Sequence, residues 1–194
     1  MASTDPSMEK PAGGDRRPGR TRHALLGAFA DLMLSHGYIG LTAEQVAEHA
    51  NVGRSTLYAH FGGLDGILKA SLMRPSAPLA ALVDPAAPAE DLLWLLDHLK
   101  DQRRRNRAFL QPPLRGIWVR RLAEMIEARL AALEHDRAPI LPWPFIAAQL
   151  AEAEIALVAQ WLTASPTTPV ETIAAALTST IRAMLDALAP PLGA

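Results

Sequence analysis

The side chains best suited to a specific chemistry lie in the segment Leu41–Phe61, which reads LTAEQVAEHANVGRSTLYAHF. Within it, Arg54, Ser55 and Thr56 are consecutive. Arginine is the commonest bidentate reader of guanine, and threonine offers both a hydroxyl and a methyl group to thymine. On the first turn of an exposed helix, such residues reach base edges in a major groove. The segment therefore predicts a surface that reads double-stranded DNA.

Other polar and basic side chains accompany this triplet. Tyr58 and His60 suit phosphate contacts, which fix the register of a protein on DNA. Four arginines lie within residues 16–22. An arginine arm of this kind either follows the phosphates or the minor groove, or only aids solubility, and the sequence favours neither. The candidate DNA-contacting residues are Arg20, Arg22, Thr42, Arg54, Ser55, Thr56, Tyr58 and His60.

Two short helices joined by a tight turn would position these residues. Thr42, with Gln45 three residues later, forms a capping-box pattern that predicts the start of the first helix. Asn51 tolerates left-handed backbone angles and suits the turn. A second short helix follows Gly53 and ends at Gly62. The predicted inward face consists of Val46, Ala47, Ala50, Val52, Leu57 and Phe61. This arrangement is a helix-turn-helix.

Helical periodicity continues along the rest of the chain, and no strand-like alternation appears. We predict a first helix from about Thr21 to Gly37 and a fourth over Leu64–Met73, ending before Pro75. Longer helices are predicted at about 90–109, 114–135, 144–164 and 170–189. The fold class is therefore all-α.

Composition divides the chain into three parts. Residues 1–19 are rich in Pro, Gly, Ser and charge and are predicted to form a disordered basic tail. Residues 20–74 contain the helix-turn-helix. An Ala/Pro-rich stretch at 75–89 opens the third part, 75–194, which is predicted to be a helical bundle. The arginine run at 103–107 is interpreted as a solvated face.

Composition also excludes several classes of protein. The chain has 194 residues, a formal net charge of −1 and no cysteine, so disulfides and thiol chemistry are excluded. No signal peptide and no membrane span of roughly 20 apolar residues is predicted, which implies a cytoplasmic location. The histidines lack metal-ligand spacing. Without a phosphate loop, a nucleophile elbow or an HExxH motif, we expect no enzyme, no cofactor and no metal.

The segment Arg22–Leu72 resembles the N-terminal domain of the tetracycline-repressor (TetR) family of bacterial transcriptional regulators. The matching residues are Phe29, Gly37-Tyr38, Leu41-Thr42, Val46-Ala47 and the string Thr56-Leu57-Tyr58-Ala59-His60-Phe61. The resemblance implies a three-helix DNA-binding domain followed by a helical ligand-binding and dimerisation domain. Three positions depart from the family pattern. Asn51 replaces the usual glycine, Gly53 replaces a frequent serine, and Leu64 replaces a phosphate-binding lysine, which shifts phosphate binding towards the arginine arm.

The resemblance further implies a homodimeric repressor that leaves a palindromic operator when a small-molecule effector binds. Two apolar stripes on the helix at 144–164 suit contact with both the protomer's own core and a partner. The last helix has one apolar stripe with small residues nearby, which let helices approach closely. The predicted dimer interface is Ile155, Val158, Leu162, Ile173, Leu177, Ile181 and Met184. The candidate effector-binding residues are Trp94, His98, Trp118, Met125 and Trp143, because ligand sites combine apolar walls with a few polar groups.

Two other functions stay open at this stage. The chain could bind DNA without a small-molecule effector, and then activate rather than repress transcription. Alternatively, it could be a protein-interaction module whose helix-turn-helix no longer binds DNA. The presence of Thr56, Tyr58 and His60 together argues against the second, because no structural need explains all three.

Overall fold

The computed structural model describes residues 17–132, 136–164 and 168–192. Over these ranges the chain forms α-helices, one 3₁₀ turn at Ala81–Val83 and an isolated bridge between Arg137 and Pro191, without a strand. The helices are α1 Arg17–His36, α2 Ala43–His49, α3 Arg54–Phe61, α4 Leu64–Ala80, α5 Ala89–Asp101, α6 Arg103–Phe109, α7 Leu114–Ala132, α8 Trp143–Thr163 and α9 Val170–Leu188. The predicted all-α class is confirmed.

Helix α1 begins one turn earlier than its sequence pattern predicts. It starts at Arg17 instead of Thr21, so Arg20 and Arg22 are helical and do not belong to an arm that precedes the helix. Most of the predicted tail, including Arg16, lies outside the described residues, as do His135 and Ser165-Pro166-Thr167 of the predicted helix ends and loops. Leu25, Phe29 and Met33 form the buried face of α1.

Helix α4 does not end before Pro75, as predicted, but continues through Pro75 and Pro78 to Ala80. A proline inside a helix costs about 3 kcal/mol because it removes a backbone hydrogen bond and its ring crowds the preceding turn. Tertiary contacts offset this cost. Ser76 is fully buried, and the indole Nε1 of Trp118 on α7 donates to its Oγ at 3.1 Å. The second and third predicted parts of the chain are therefore joined by a continuous helix.

The predicted helix at 90–109 is two helices, α5 and α6, which are separated by Gln102. Two arginines of α6, Arg103 and Arg107, are not merely part of a solvated face. Arg103 Nε donates to the carbonyl of Leu162 at 2.5 Å, and Arg107 Nε donates to the same carbonyl at 2.9 Å. The last carbonyls of a helix lack intrahelical donors and carry partial negative charge. Arg103 and Arg107 therefore cap the C-terminus of α8 and fix α6 against it.

The predicted dimer residues lie inside the protomer. Six of them are at most 6% exposed, namely Ile155, Val158, Leu162, Ile173, Leu177 and Ile181. Met184 is half-buried against the same core. Helix α8 packs against α6, α7 and α9, and these neighbours cover its apolar face. The prediction that these residues meet a partner is wrong for the six buried ones, because their own core occupies them.

Helix α8 bears on the expectation that the chain has no membrane span. Among the described helices it is long and apolar enough, by length and composition alone, to cross a membrane. Half of that stretch is buried within the protein. The apolar composition of α8 is thus accounted for by its place between its neighbours.

The buried apolar residues form one continuous cluster that runs from α1 to the end of α9. Helix α1 contacts α2 and α4, and also α6 of the second half of the chain. Helix α1, which carries Arg20 and Arg22, thus rests directly on α6 of the second half.

Candidate nucleic-acid interface and the adjoining groove

The start of α2 has the capping box that the sequence predicts. The Gln45 backbone N–H donates to Thr42 Oγ1 at 3.2 Å, and the Thr42 N–H donates to Gln45 Oε1 at 2.8 Å. These bonds satisfy two backbone donors that a helix start otherwise leaves unpaired. Thr42 is exposed, so its hydroxyl can still meet a phosphate while it caps the helix.

The turn between α2 and α3 has the predicted left-handed residue. Asn51 has φ 53°, and its N–H donates to the carbonyl of Glu48 at 2.9 Å. The N-cap of α3 is Gly53, which has no side chain to cap the helix. Gly62, with φ 71°, ends α3 after two turns.

Asn51 gives a test of this turn. Replacement by alanine is expected to lower the free energy of unfolding by about 1 kcal/mol. Any residue with a Cβ is disfavoured in the left-handed region, and alanine lacks the amide side chain with which asparagine compensates by local hydrogen bonding. Replacement by glycine is expected to leave the stability unchanged or slightly higher. Urea unfolding followed by circular dichroism measures both changes. If alanine were as stable as glycine, the turn would not hold a left-handed residue.

Helix α3 presents a polar face outward. Arg54, Ser55 and Tyr58 are exposed, and Leu57 on the opposite side is completely buried. Thr56 and His60 are half-buried at the edges of this face. The five predicted residues of α3 therefore lie on its outward face or at the edges of that face. Arg54, Ser55 and Thr56 form the first turn of the helix.

Arg54 has two partners in the free protein. Its guanidinium forms an ion pair with Glu44 of α2 and lies over the Tyr58 ring, 5.4 Å from the ring centroid. Hydrogen bonding to Tyr58 and the charge of Glu44 raise the pKa of Arg54 above its usual value, so it stays cationic. Sequence analysis did not single out Glu44, although an acidic residue in the first turn of α2 was visible.

The two arginines of α1 differ in their surroundings. Arg22 lies over the ring of Phe61, with its guanidinium carbon 4.7 Å from the centroid, so the amino-terminal part of α1 sits beside the C-terminus of α3. A cation over an aromatic face is attracted by the ring quadrupole. Arg20 is exposed two residues earlier on the same helix. The structure thus places the charge of Arg22 beside α3 and leaves Arg20 exposed at the start of α1.

The first turn of α4 is fixed closely to α3. A Cβ on Gly66 would lie 1.7 Å from the Phe61 carbonyl oxygen, so only glycine fits there. The hydroxyl of Tyr38 donates to Asp65 Oδ1 at 3.1 Å and links the loop after α1 to α4. Burial and this bond raise the pKa of Tyr38. Leu64 packs partly buried against the core, in the position where the family pattern has a lysine.

A groove of about 310 Å³ lies between α1, α4, α5, α6 and α7. Three of the candidate effector residues, Trp94, His98 and Trp118, line it. Met125 and Trp143 do not, which corrects their placement at the same site. Met125 packs against the core from α7. Trp143 begins α8, and its buried Nε1 has no hydrogen-bond partner within the described ranges of the chain.

Elsewhere, an open cleft of about 640 Å³ separates the end of α4 and the start of α5 from α9. Across the described part of the chain, no cluster of three or more His, Asp or Glu side chains is arranged to hold a metal ion.

The fold and this interface define the class of protein: an all-α protein with a helix-turn-helix at its amino-terminal end. Residues 25–71 match the family model described as "Bacterial regulatory proteins, tetR family". The amino-terminal segment of this chain is therefore similar to the helix-turn-helix region of that family.

Individual relatives agree with this assignment. The uncharacterized HTH-type transcriptional regulator YxbF of Bacillus subtilis (strain 168) is 33% identical over 66 residues, which are 34% of this chain and 17% of that protein. The chain therefore matches only about a sixth of that relative's length.

Solved structures share the fold over most of the chain. A TetR transcriptional regulator from Streptococcus agalactiae 2603V has a TM-score of 0.54 at 24% identity, covering 86% of this chain and 96% of that one. NalD, the secondary repressor of the MexAB-OprM multidrug efflux pump in Pseudomonas aeruginosa, has a TM-score of 0.52 at 24% identity, covering 85% and 95%. At this identity the likeness concerns the fold alone.

Proposed function

We propose that the chain is a cytoplasmic, homodimeric repressor that binds a palindromic operator and is released by a small-molecule effector. The observation that carries the operator-binding part is the outward face of α3. Arg54, Ser55 and Thr56 occupy its first turn, and the buried Leu57 holds the helix on the core. A helix supported on one side and polar on the other fits a major groove.

The residues around α3 have distinct roles in this proposal. Arg54 and the two hydroxyl residues after it contact base edges, where direct readout takes place. Tyr58 and His60 contact phosphates from the same helix, and Thr42 does so from the start of α2. Arg20 and Arg22 approach the phosphates next to the end of α3. They take over the charge that a lysine at position 64 would supply.

The groove between the two halves of the chain supports an effector role. Its walls include α1 of the DNA-binding half and α5 and α6 of the other half, and α4 runs through both. A ligand that fits only one arrangement of these helices shifts the population towards that arrangement. Because α4 is held to α3 through Gly66, a shift of α4 changes the position of α3 on DNA.

The proposed dimer uses the small exposed residues of α8 and α9 in place of the buried ones. Ala156 is exposed near the middle of the outer face of α8. On α9 a row of small side chains follows one outer face, namely the exposed Thr172, Thr180, Ala183 and Ala187 and the half-buried Ala176. Small residues allow helices of two protomers to approach closely. A twofold dimer places two α3 helices at half-sites about 34–36 Å apart.

Ala183 tests the dimer. Replacement by arginine is expected to convert the dimer to a monomer and to weaken operator binding at least tenfold, because two buried charges cannot be paired across a twofold axis. Multi-angle light scattering after size exclusion measures the mass. Ala175→Arg is the matched control, since Ala175 is an exposed alanine of α9 that faces the open cleft towards α5. A dimeric Ala183→Arg protein, or a monomeric parent chain at micromolar concentration, contradicts this interface.

The proposed function as a whole is tested by selection of DNA. The full chain is incubated with random duplexes, bound DNA is amplified over several rounds, and affinities are then measured by fluorescence anisotropy at fixed salt. The expected result is an inverted repeat that binds at least a thousandfold more tightly than a shuffled duplex. Equal affinity for both duplexes contradicts operator recognition.

A further inference from the structure

The groove between the two halves of the chain has a distinctive balance of charge. Its ionisable lining residues are His23 on α1, Arg74 on α4 and His98 on α5, and none of the lining residues is an aspartate or a glutamate. The chain as a whole carries slightly more acidic than basic residues, so this balance is local. A groove lined in this way favours an anionic ligand over a cationic one.

Arg74 is positioned to receive that anion. Its guanidinium lies 4.7 Å from the centroid of the Trp94 ring, and Trp94 stacks on His98 with centroids 5.3 Å apart and an angle of 7°. Within residues 17–132, 136–164 and 168–192, Arg74 has no ion pair or hydrogen bond, and its stacking on Trp94 leaves its N–H donors available to a ligand. Planar donors of this kind match a carboxylate in a bidentate manner. Gln102 adds a polar side chain at the same wall.

The rest of the wall is apolar. Leu26, Phe109 and the buried Trp118 line the groove together with Trp94, which is 47% exposed. The volume of about 310 Å³ is at the lower end of the range for small-molecule sites. These walls suit a compact ligand with an aromatic body.

We infer that this groove binds a small aromatic carboxylate, with its carboxylate on Arg74 and its ring among Trp94, Phe109 and Trp118. The ligand would then touch α1 as well as the helices of the second half. This inference names the kind of ligand that the proposed effector site binds. Only the effect of that ligand on DNA binding rests on the proposed function.

Calorimetric titration of the full chain with three matched probes tests the site. The probes are 2-naphthoate, the neutral 2-naphthamide and the cationic 2-naphthylmethylamine. The expected order has naphthoate bound at least tenfold more tightly than the amide, with the amine weakest. Binding that is equal for the acid and the amide, or no binding of naphthoate, overturns the inference.

Two variants assign the binding to this groove. Arg74→Met keeps the apolar stem and is expected to remove the preference for the acid over the amide, whereas Arg129→Met, which replaces an exposed arginine of α7 outside the groove, is expected to keep it. Gly27→Leu fills the groove from α1, where an added Cβ meets no atom within 4 Å, and is expected to weaken both probes. Unchanged naphthoate binding in both Arg74→Met and Gly27→Leu would place the ligand elsewhere.

Operator affinity measured with and without naphthoate separates this inference from the proposed function. Binding of naphthoate without release of DNA supports the carboxylate site and contradicts the effector role. Operator binding without any binding of naphthoate supports operator recognition and contradicts the carboxylate site.

Discussion

Replacing Arg54 with alanine is expected to weaken binding to the selected operator by about 1–3 kcal/mol, or roughly 5–150-fold, with little change on non-specific DNA. The reason is the position of Arg54 on the first turn of α3, where a bidentate contact to guanine is possible. Fluorescence anisotropy with operator and shuffled duplexes at the same salt concentration measures both affinities.

The ion pair with Glu44 does not prevent this contact. The side chains of Arg54 and Glu44 are 61% and 63% exposed, and an ion pair at such a site contributes about 0.2–1 kcal/mol. A bidentate contact to a base is worth about 1–3 kcal/mol. The contact of the Arg54 guanidinium with a base is therefore more favourable than its ion pair with Glu44. In the absence of DNA, Glu44 serves mainly to hold Arg54 close to α2.

Two controls define the result. Glu44→Ala keeps Arg54 and removes its partner, and it is expected to retain the preference for the operator while it strengthens binding to any DNA, because a negative charge leaves the interface. Arg129→Ala removes an exposed arginine from α7 and is expected to have little effect. Equal losses on both duplexes for Arg54→Ala would show that Arg54 contacts phosphate instead of a base.

The helix-turn-helix could be predicted because its signals are local. The capping box of Thr42 and Gln45, the left-handed turn at Asn51 and the stop at Gly62 each depend on side chains and backbone within a few residues. Such signals are fully contained in a short stretch of sequence.

The errors arose where distant contacts decide the structure. Helix α4 passes Pro75 because packing that includes the bond between Ser76 and Trp118 stabilises it across a separation of 42 residues. Arg103 and Arg107 cap α8 from more than 50 residues away.

The predicted dimer residues failed for a related reason. Periodicity identified the apolar faces of α8 and α9, but it cannot say whether a face is covered by the same protomer or by another. The groove was predicted in part, since Trp94, His98 and Trp118 line it. Arg74 was missed because it lies on α4, which the sequence assigned to the DNA-binding part of the chain.

Replacing Glu154 with methionine is expected to raise the free energy of unfolding by about 1–3 kcal/mol at pH 7, because a buried polar group without a partner costs about that much. Glu154 is fully buried on α8, and among the residues that the structure describes neither of its carboxylate oxygens has a hydrogen-bond partner. It stands in the middle of the buried face, one turn from Leu150 and Val158. Methionine fills the same unbranched volume without polar atoms.

The gain is expected to depend on pH. Burial raises the pKa of Glu154 well above its usual range in the folded protein. Below the pKa of the unfolded chain, both states hold the proton and the group has no electrostatic effect. As the pH rises beyond that value, the unfolded chain ionises while the folded protein keeps the proton, so stability falls until the pH passes the folded pKa. The gain from Glu154→Met is therefore larger at pH 8 than at pH 4.

Thermal and urea unfolding at these two pH values measure the effect, with a shift in Tm of about 2–4 °C for each kcal/mol. Glu152→Met is the matched control, because Glu152 lies two residues earlier on α8, is 53% exposed and pairs with Arg115 at 2.6 Å. Its replacement is expected to change stability by less than about 0.5 kcal/mol. A loss of stability in Glu154→Met would mean that Glu154 gains a stabilising partner in solution. In that case the contact made by the Glu154 carboxyl group more than offsets the cost of burying that group.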